Sequence, residues 1–151
     1  MVSNEFRVTT LRVIPLFQTL SEETLEELRP AFKVLRLGAG EVVLREGDSA
    51  DRLYVLVDGE VQVVKNYLAQ GAQTVDVMTP PTFFGEMALM GTGEVRSATV
   101  LTSEPCHFVT LDRTAFRTIL LKNPEISLAL LEEAFRRLRQ ANELIAVAEE
   151  E

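Results

Sequence analysis

Between Phe32 and Leu111 the apolar residues come in short runs rich in valine, leucine and phenylalanine, parted by turn residues about every ten positions. Even spacing of short strands predicts a sandwich, jelly roll or barrel. The clearest pair is Leu53–Val57 and Glu60–Val64 with Asp58-Gly59 between them, and Asp-Gly predicts a two-residue type I′ hairpin. Upstream, Leu25 and Leu28 lie three apart behind Ser21, Glu22 and Glu23, which predicts a capped helix over Ser21–Ala31. Beyond Asp112 helical spacing returns, with Phe116, Ile119 and Leu120 on one stripe. Asn123-Pro124 reads as the cap and first residue of a further helix running to about Ala148.

The pattern as a whole is a mainly β fold with flanking α-helices. It has an N-terminal helical segment over about 1–31, strands over 32–111 and C-terminal helices over 112–151, read as one domain. In the last helix Leu131, Leu138 and Ile145 recur every seven residues, with Ala134, Ala141 and Ala148 three further on each time. Two readings stand: a helix packed on its own domain, or the seam of a parallel homodimer whose alanines allow close approach.

Charge narrows the partners. Of 151 residues, 23 are acidic and 15 basic, a formal net charge of −8, which is the wrong sign for capture of a nucleic acid or an anionic membrane by the whole surface. Arg136, Arg137 and Arg139 form the one basic cluster, and Glu132, Glu133, Glu143 and Glu149 to Glu151 surround it, as on a solvated helical face. Cys106 and His107 are the lone cysteine and histidine, which excludes an internal disulfide, a Cys/His zinc site and a four-cysteine cluster. They read as a buried thiol and a rim imidazole on the strand Cys106–Thr110. The N-terminal residues Met1 to Arg7 lack the apolar run of a signal peptide, no stretch approaches a membrane span, and a cytoplasmic location is expected.

Candidate chemistry concentrates between Phe84 and Thr99. A glycine, Gly85, followed by a short helical turn lets the amides of Glu86, Met87 and Ala88 point at an anion. Arg96 adds a planar fork for two phosphate oxygens and Ser97 a hydroxyl beside it. Glu86 would repel an anion unless it accepts from a sugar hydroxyl while pairing with the nearby Arg96, and a purely structural Glu86–Arg96 ion pair is the alternative. Gly40, Gly47 and Gly59 read as turn glycines, and Met87, Leu89 and Met90 as core. Gly38-Ala39-Gly40 lacks the third glycine and the strand-to-helix setting of a dinucleotide fingerprint.

Phe84-Gly85-Glu86-Met87-Ala88-Leu89 followed by Arg96-Ser97-Ala98-Thr99 resembles the phosphate-binding cassette of the cyclic nucleotide-binding domain family, found in catabolite-activator-type regulators, protein kinase regulatory subunits and cyclic-nucleotide-gated channels. The likeness extends through Ile14-Pro15-Leu16-Phe17, Gly40-Glu41, Leu44, Glu46-Gly47-Asp48, Asp51, Tyr54, Gly59, Val61 and Val63, and so covers almost the whole chain. It implies an eight-stranded, jelly-roll-like β-roll with a short N-terminal and a long C-terminal helix. It also implies a cyclic phosphate held by Gly85, Met87, Ala88, Arg96 and Ser97, and a ribose 2′-hydroxyl held by Glu86. Ala98 and, on the long helix, often that of the other subunit in relatives, Asn142 are the implied base contacts; Ala141 beside it has no side-chain donor. Ser97 stands where cyclic-GMP-selective relatives carry threonine, which implies cyclic AMP over cyclic GMP.

The expected function is a cyclic AMP sensor, with no cofactor and no metal, that signals through its C-terminal helix to an output partner. The alternatives are the sensor portion of a transcriptional regulator without its helix-turn-helix, since no recognition helix can be drawn after the long helix, and a ligand-free module of the same fold. Glu86 and Arg96 make no nucleophile–base pair and His107 is isolated, so catalysis is not expected.

Overall fold

A computed structural model describes residues 6–90 and 95–150; residues 1–5, 91–94 and 151 lie outside it, as do the side chains of Met87, Met90 and Glu150. The N-terminal reading over Met1 to Arg7 and the stretch between the two cassette blocks therefore fall largely outside the described residues.

Eight strands form two four-stranded antiparallel sheets: β1 (Phe32–Leu37), β2 (Val42–Leu44), β3 (Arg52–Asp58), β4 (Val61–Lys65), β5 (Gln73–Met78), β6 (Thr82–Phe84), β7 (Thr99–Thr102) and β8 (Cys106–Asp112). The first sheet runs β1-β8-β3-β6 and the second β2-β7-β4-β5. The mainly β expectation holds, with the strands running from Phe32 to Asp112. The expected hairpin does not: β3 pairs with β6 and β8, and β4 pairs with β5 and β7, so the two runs belong to different sheets. A type I′ turn needs positive φ at both central residues. Gly59 has φ +102°, whereas Asp58 is not among the positive-φ residues, and the chain turns a corner between sheets here. A Cβ on Gly59 would stand 2.5 Å from Pro105 O and 2.6 Å from Cys106 Sγ, so the corner is packed directly against the start of β8.

β3 explains why its run is continuously apolar rather than alternating. Leu53 and Val55 join the larger core under the helices, with Phe17, Leu25, Leu28, Val109, Leu111 and Phe116. Leu56 joins the core between the sheets with Val61, Val100, Cys106 and Phe108. Both faces of the strand are covered, so both sets of side chains are apolar.

The helical parts follow the sequence closely. α1 spans Glu22–Leu28, and Ser21 caps it by accepting from Thr24 N at 3.1 Å. α2 spans Arg113–Lys122, capped by Asp112 Oδ1 accepting from Ala115 N at 2.7 Å. α3 spans Pro124–Glu150. Asn123 does not place its side chain over α3. Its amide donates back to Ile119 O at 2.8 Å, closing α2, and only its backbone carbonyl serves α3.

α3 packs on its own domain through one part of its length and leaves its heptad column uncovered in the protomer. Ile126 and Leu130 are buried in the core, whereas Leu128, Leu131, Phe135, Leu138 and Ile145 are exposed, the last four between 52% and 57%. The heptad column Leu131, Leu138, Ile145 therefore lies open, flanked on one side by the exposed alanines and on the other by Leu128 and Phe135.

Candidate functional site

β6 ends at Phe84, Gly85 turns the chain at φ +90°, and residues Glu86–Met90 form a 3₁₀ turn. Ala88 N donates to Gly85 O at 3.0 Å. That bond closes the first step of the turn. The amides of Glu86 and Met87, ahead of it, are the first-turn donors that a helical turn leaves without an internal acceptor. Leu89 and Ala88 are buried, Leu89 in the larger core, as its apolar character predicts.

Arg96 sits across from this turn. Its backbone is pinned to the β2–β3 loop, with Arg96 N donating to Asp48 O at 2.8 Å and Gly47 N donating to Arg96 O at 2.8 Å. Its Nη2 donates to Arg52 O at 2.5 Å. Its Cζ lies 5.9 Å from the centroid of Tyr54, within cation–π range. Tyr54 is itself held rigid, stacked on Phe84 at 5.1 Å and edge-on to Phe108 at 6.2 Å. Partial burial lowers the guanidinium's proton affinity, opposed by the neighbouring Tyr54 and Asp51, and an arginine stays charged throughout.

The space beside Arg96 is a cavity of about 250 Å³ lined by Leu44, Val63, Met78, Phe84, Gly85, Arg96, Ser97, Ala98 and Val100. Its walls are apolar and its charge is confined to one rim. Such a site suits a small molecule with an anionic end and a flat apolar body. Gly85, Arg96, Ser97 and Ala98 thus line one cavity.

Three further placements bear on the site. Among the described residues no hydrogen bond or ion pair joins Glu86 to Arg96, so neither the expected pairing of Glu86 with the arginine nor the purely structural pair is formed; the guanidinium bonds to a backbone carbonyl instead. Thr99, within the second block, is buried, and its hydroxyl accepts from Glu46 N at 3.0 Å, a structural use. Asn142 is exposed on α3 and does not line the cavity, and Ala141 is exposed beside it.

Tyr54 and the Arg52 carbonyl were not assigned to the site from sequence. Arg52 and Arg96 are 44 residues apart, and a carbonyl has no residue signature. The signal for Tyr54 was its place, with Asp51, in the family likeness at the head of an apolar strand. Cys106 is buried and His107 half-buried on β8, and no cluster of metal-ligating side chains occurs among the described residues. No helix among the described residues is long and apolar enough to cross a membrane.

Comparison with known proteins agrees with this geometry. Residues 34–123 match the family model of the cyclic nucleotide-binding domain. A CRP-like cAMP-activated global transcriptional regulator of Mycobacterium tuberculosis is 29% identical over 87% of this chain and 58% of its own length. A cAMP-dependent protein kinase regulatory subunit of Yarrowia lipolytica is 34% identical over 70% of this chain and 27% of its own. The chain thus spans little more than half, or less, of these curated relatives. Among solved structures, the N-terminal domain of a transcriptional regulator from Streptomyces coelicolor superposes with a TM-score of 0.78 at 31% identity, covering 90% of this chain and 94% of that one. Two of these relatives are transcriptional regulators and one is a kinase regulatory subunit. On the family model, these relatives and the two-sheet roll with its glycine turn and facing arginine, the chain belongs to the cyclic nucleotide-binding domain family.

Proposed function

We propose that this chain is a cyclic mononucleotide sensor whose ligand is cyclic AMP. The observation that carries the reading is Arg96, a half-buried arginine held beside the Gly85 turn at the rim of an apolar cavity. In this reading the cyclic phosphate is gripped by Arg96, Ser97 and the amides of Glu86 and Met87. Glu86, which has no partner at Arg96, accepts from the ribose 2′-hydroxyl. The base lies against Leu44, Val63 and Val100, with Ala98 allowing it close. Nothing on this apolar wall reads the base edge, and that role falls to Asn142 of a second copy, whose α3 would cross the cavity mouth.

The output runs through α3. Its open column of Leu131, Leu138 and Ile145 supports a homodimer in which each α3 pairs with the other, and ligand capture changes the balance between two arrangements of these helices. Catalysis forms no part of this function.

Calorimetric titration of cyclic AMP into wild type and Arg96→Ala tests it. Binding by wild type, weakened about ten- to hundredfold in the variant, is expected from loss of a charge-assisted contact. Equal affinities, or no binding at millimolar ligand, would overturn the reading in favour of a ligand-free module of this fold.

A further inference from the structure

The segment leading into β3 is gripped by two arginines. Three consecutive carbonyls each accept from one of them: Ala50 O from Arg113 Nη2 at 2.9 Å, Asp51 O from Arg113 N at 3.0 Å, and Arg52 O from Arg96 Nη2. The same Arg113 guanidinium donates through Nε to Ala88 O at 2.9 Å, in the 3₁₀ turn that follows Gly85. One side chain therefore ties the cassette turn to the backbone that holds Arg96.

Arg113 is itself rigidly placed. It is the first residue of α2, its neighbour Asp112 both caps that helix and pairs with Arg52 across β8 and β3, and Phe116 one turn on is buried against Phe17. A guanidinium is a planar fork whose donors keep a set separation, so two carbonyls bonded to it are held at a set distance from each other. A lysine ammonium on its flexible stem cannot impose that spacing.

We propose that Arg113 is a positioning residue for the phosphate site. It holds the Glu86–Met90 turn and the Ala50–Arg52 segment at one separation, so that the first-turn amides and the Arg96 fork converge on the same anion. It touches no ligand. The proposal rests on the cyclic nucleotide reading above, and it makes Arg113 the direct bond between the cassette and α2.

The test combines cyclic AMP titration with amide hydrogen exchange on wild type, Arg113→Met, Arg113→Lys, Arg96→Ala and the Arg96→Ala/Arg113→Met double variant. Arg113→Met, which keeps an apolar stem, is expected to lose at least about tenfold in affinity, with Arg113→Lys falling between it and wild type. In the Arg96→Ala background the same change is expected to have under about a third of that effect, because the element it positions is gone. A merely structural residue would reduce affinity by the same factor in both backgrounds. Without ligand, the amides of Gly85 to Leu89 are expected to exchange faster in Arg113→Met while those of β4 and β5 keep their rates. Should Arg113→Met fail to fold, the same comparisons are made with Arg113→Lys. Wild-type affinity in both Arg113 variants, equal losses in both backgrounds, or unchanged exchange at the turn would each overturn the proposal. If wild type itself binds no cyclic nucleotide, the ligand reading fails, and the exchange rates then decide the hold on the turn: faster supports it and unchanged overturns it.

Discussion

Gly85 and Arg96 are fitted to one another: a Cβ on Gly85 would stand 2.6 Å from Arg96 Nη1 and 2.7 Å from Arg52 O. Gly85 also occupies φ +90°, a conformation that side-chain-bearing residues rarely adopt. The glycine therefore does two things at once, turning the chain out of β6 and leaving room for the guanidinium. Gly85→Ala is expected to destabilise the fold by about 1–3 kcal/mol through backbone strain. It is also expected to displace Arg96, lowering cyclic AMP affinity at least about tenfold as in the loss of a charge-assisted hydrogen bond. Thermal melts and calorimetry on the purified variant separate the two effects. Wild-type affinity would mean that Arg96 does not hold the phosphate.

The confinement of charge to one rim of the cavity makes a prediction about ligand selectivity. A single guanidinium facing first-turn amides suits a compact phosphate diester, while the dianionic end of a linear monophosphate lacks the ring that fills the site. In a thermal-shift panel, cyclic AMP at a hundred times its dissociation constant is expected to stabilise the protein by about 2.7 kcal/mol. Linear AMP at the same concentration is expected to leave the melting temperature near that of the free protein, and cyclic GMP to fall between. Equal shifts with cyclic and linear AMP would argue against a site built for the ring.

Glu133 anchors α3 to the N-terminal segment. It is almost fully buried, accepts from Thr19 Oγ1 at 3.3 Å and from Arg136 Nε at 3.0 Å, and makes a second bond to Arg136 Nη2. The hydrogen bond from Arg136 holds its carboxyl below the ordinary glutamate range, outweighing burial. With the folded value depressed, the unfolded chain takes up the proton first as pH falls. Glu133's contribution is thus complete above its unfolded value of about 4.3 and is lost as pH drops through the lower folded value. Melting curves of wild type and Glu133→Gln are expected to differ by a few degrees at pH 7 and to converge towards pH 3. A constant difference across that range would show that the carboxylate's charge is not what matters.

The open face of α3 predicts a self-association that charge can break. Leu131 and Leu138 lie one heptad apart with their side chains about half exposed. Wild type is expected to sediment as a dimer and Leu131→Glu/Leu138→Glu as a monomer, because like charges would be buried against each other at the seam. The double variant should keep its melting cooperativity, since neither residue belongs to the core of the protomer. A monomeric wild type at micromolar to millimolar concentration would count against the proposed dimer.

Much of this molecule was legible along the chain because the relevant chemistry is local. Ser21 caps α1 from one turn away, Asp112 caps α2 likewise, and the Phe84-Gly85-Glu86 and Arg96-Ser97 blocks carry their turn and charge within a few residues. The change from strand to helical period at Asp112 is local too. Asp58-Gly59 was misleading for the opposite reason. Asp-Gly reports only that a turn is easy there, and the packing of Gly59 against Pro105 and Cys106 sent the two strands into different sheets.

Amino-acid order by itself determined the strand runs, the helix ends, the glycine turn and the arginine that faces it, because propensity, capping and period act over a few residues. Only the tertiary structure decided which strand pairs with which, that Arg96 bonds to Arg52 O rather than to Glu86, and that Arg113 reaches both Ala50 and Ala88. Those contacts end on backbone carbonyls. Every residue carries one, so no side-chain identity marks the acceptor, and only the folded chain brings donor and carbonyl within reach.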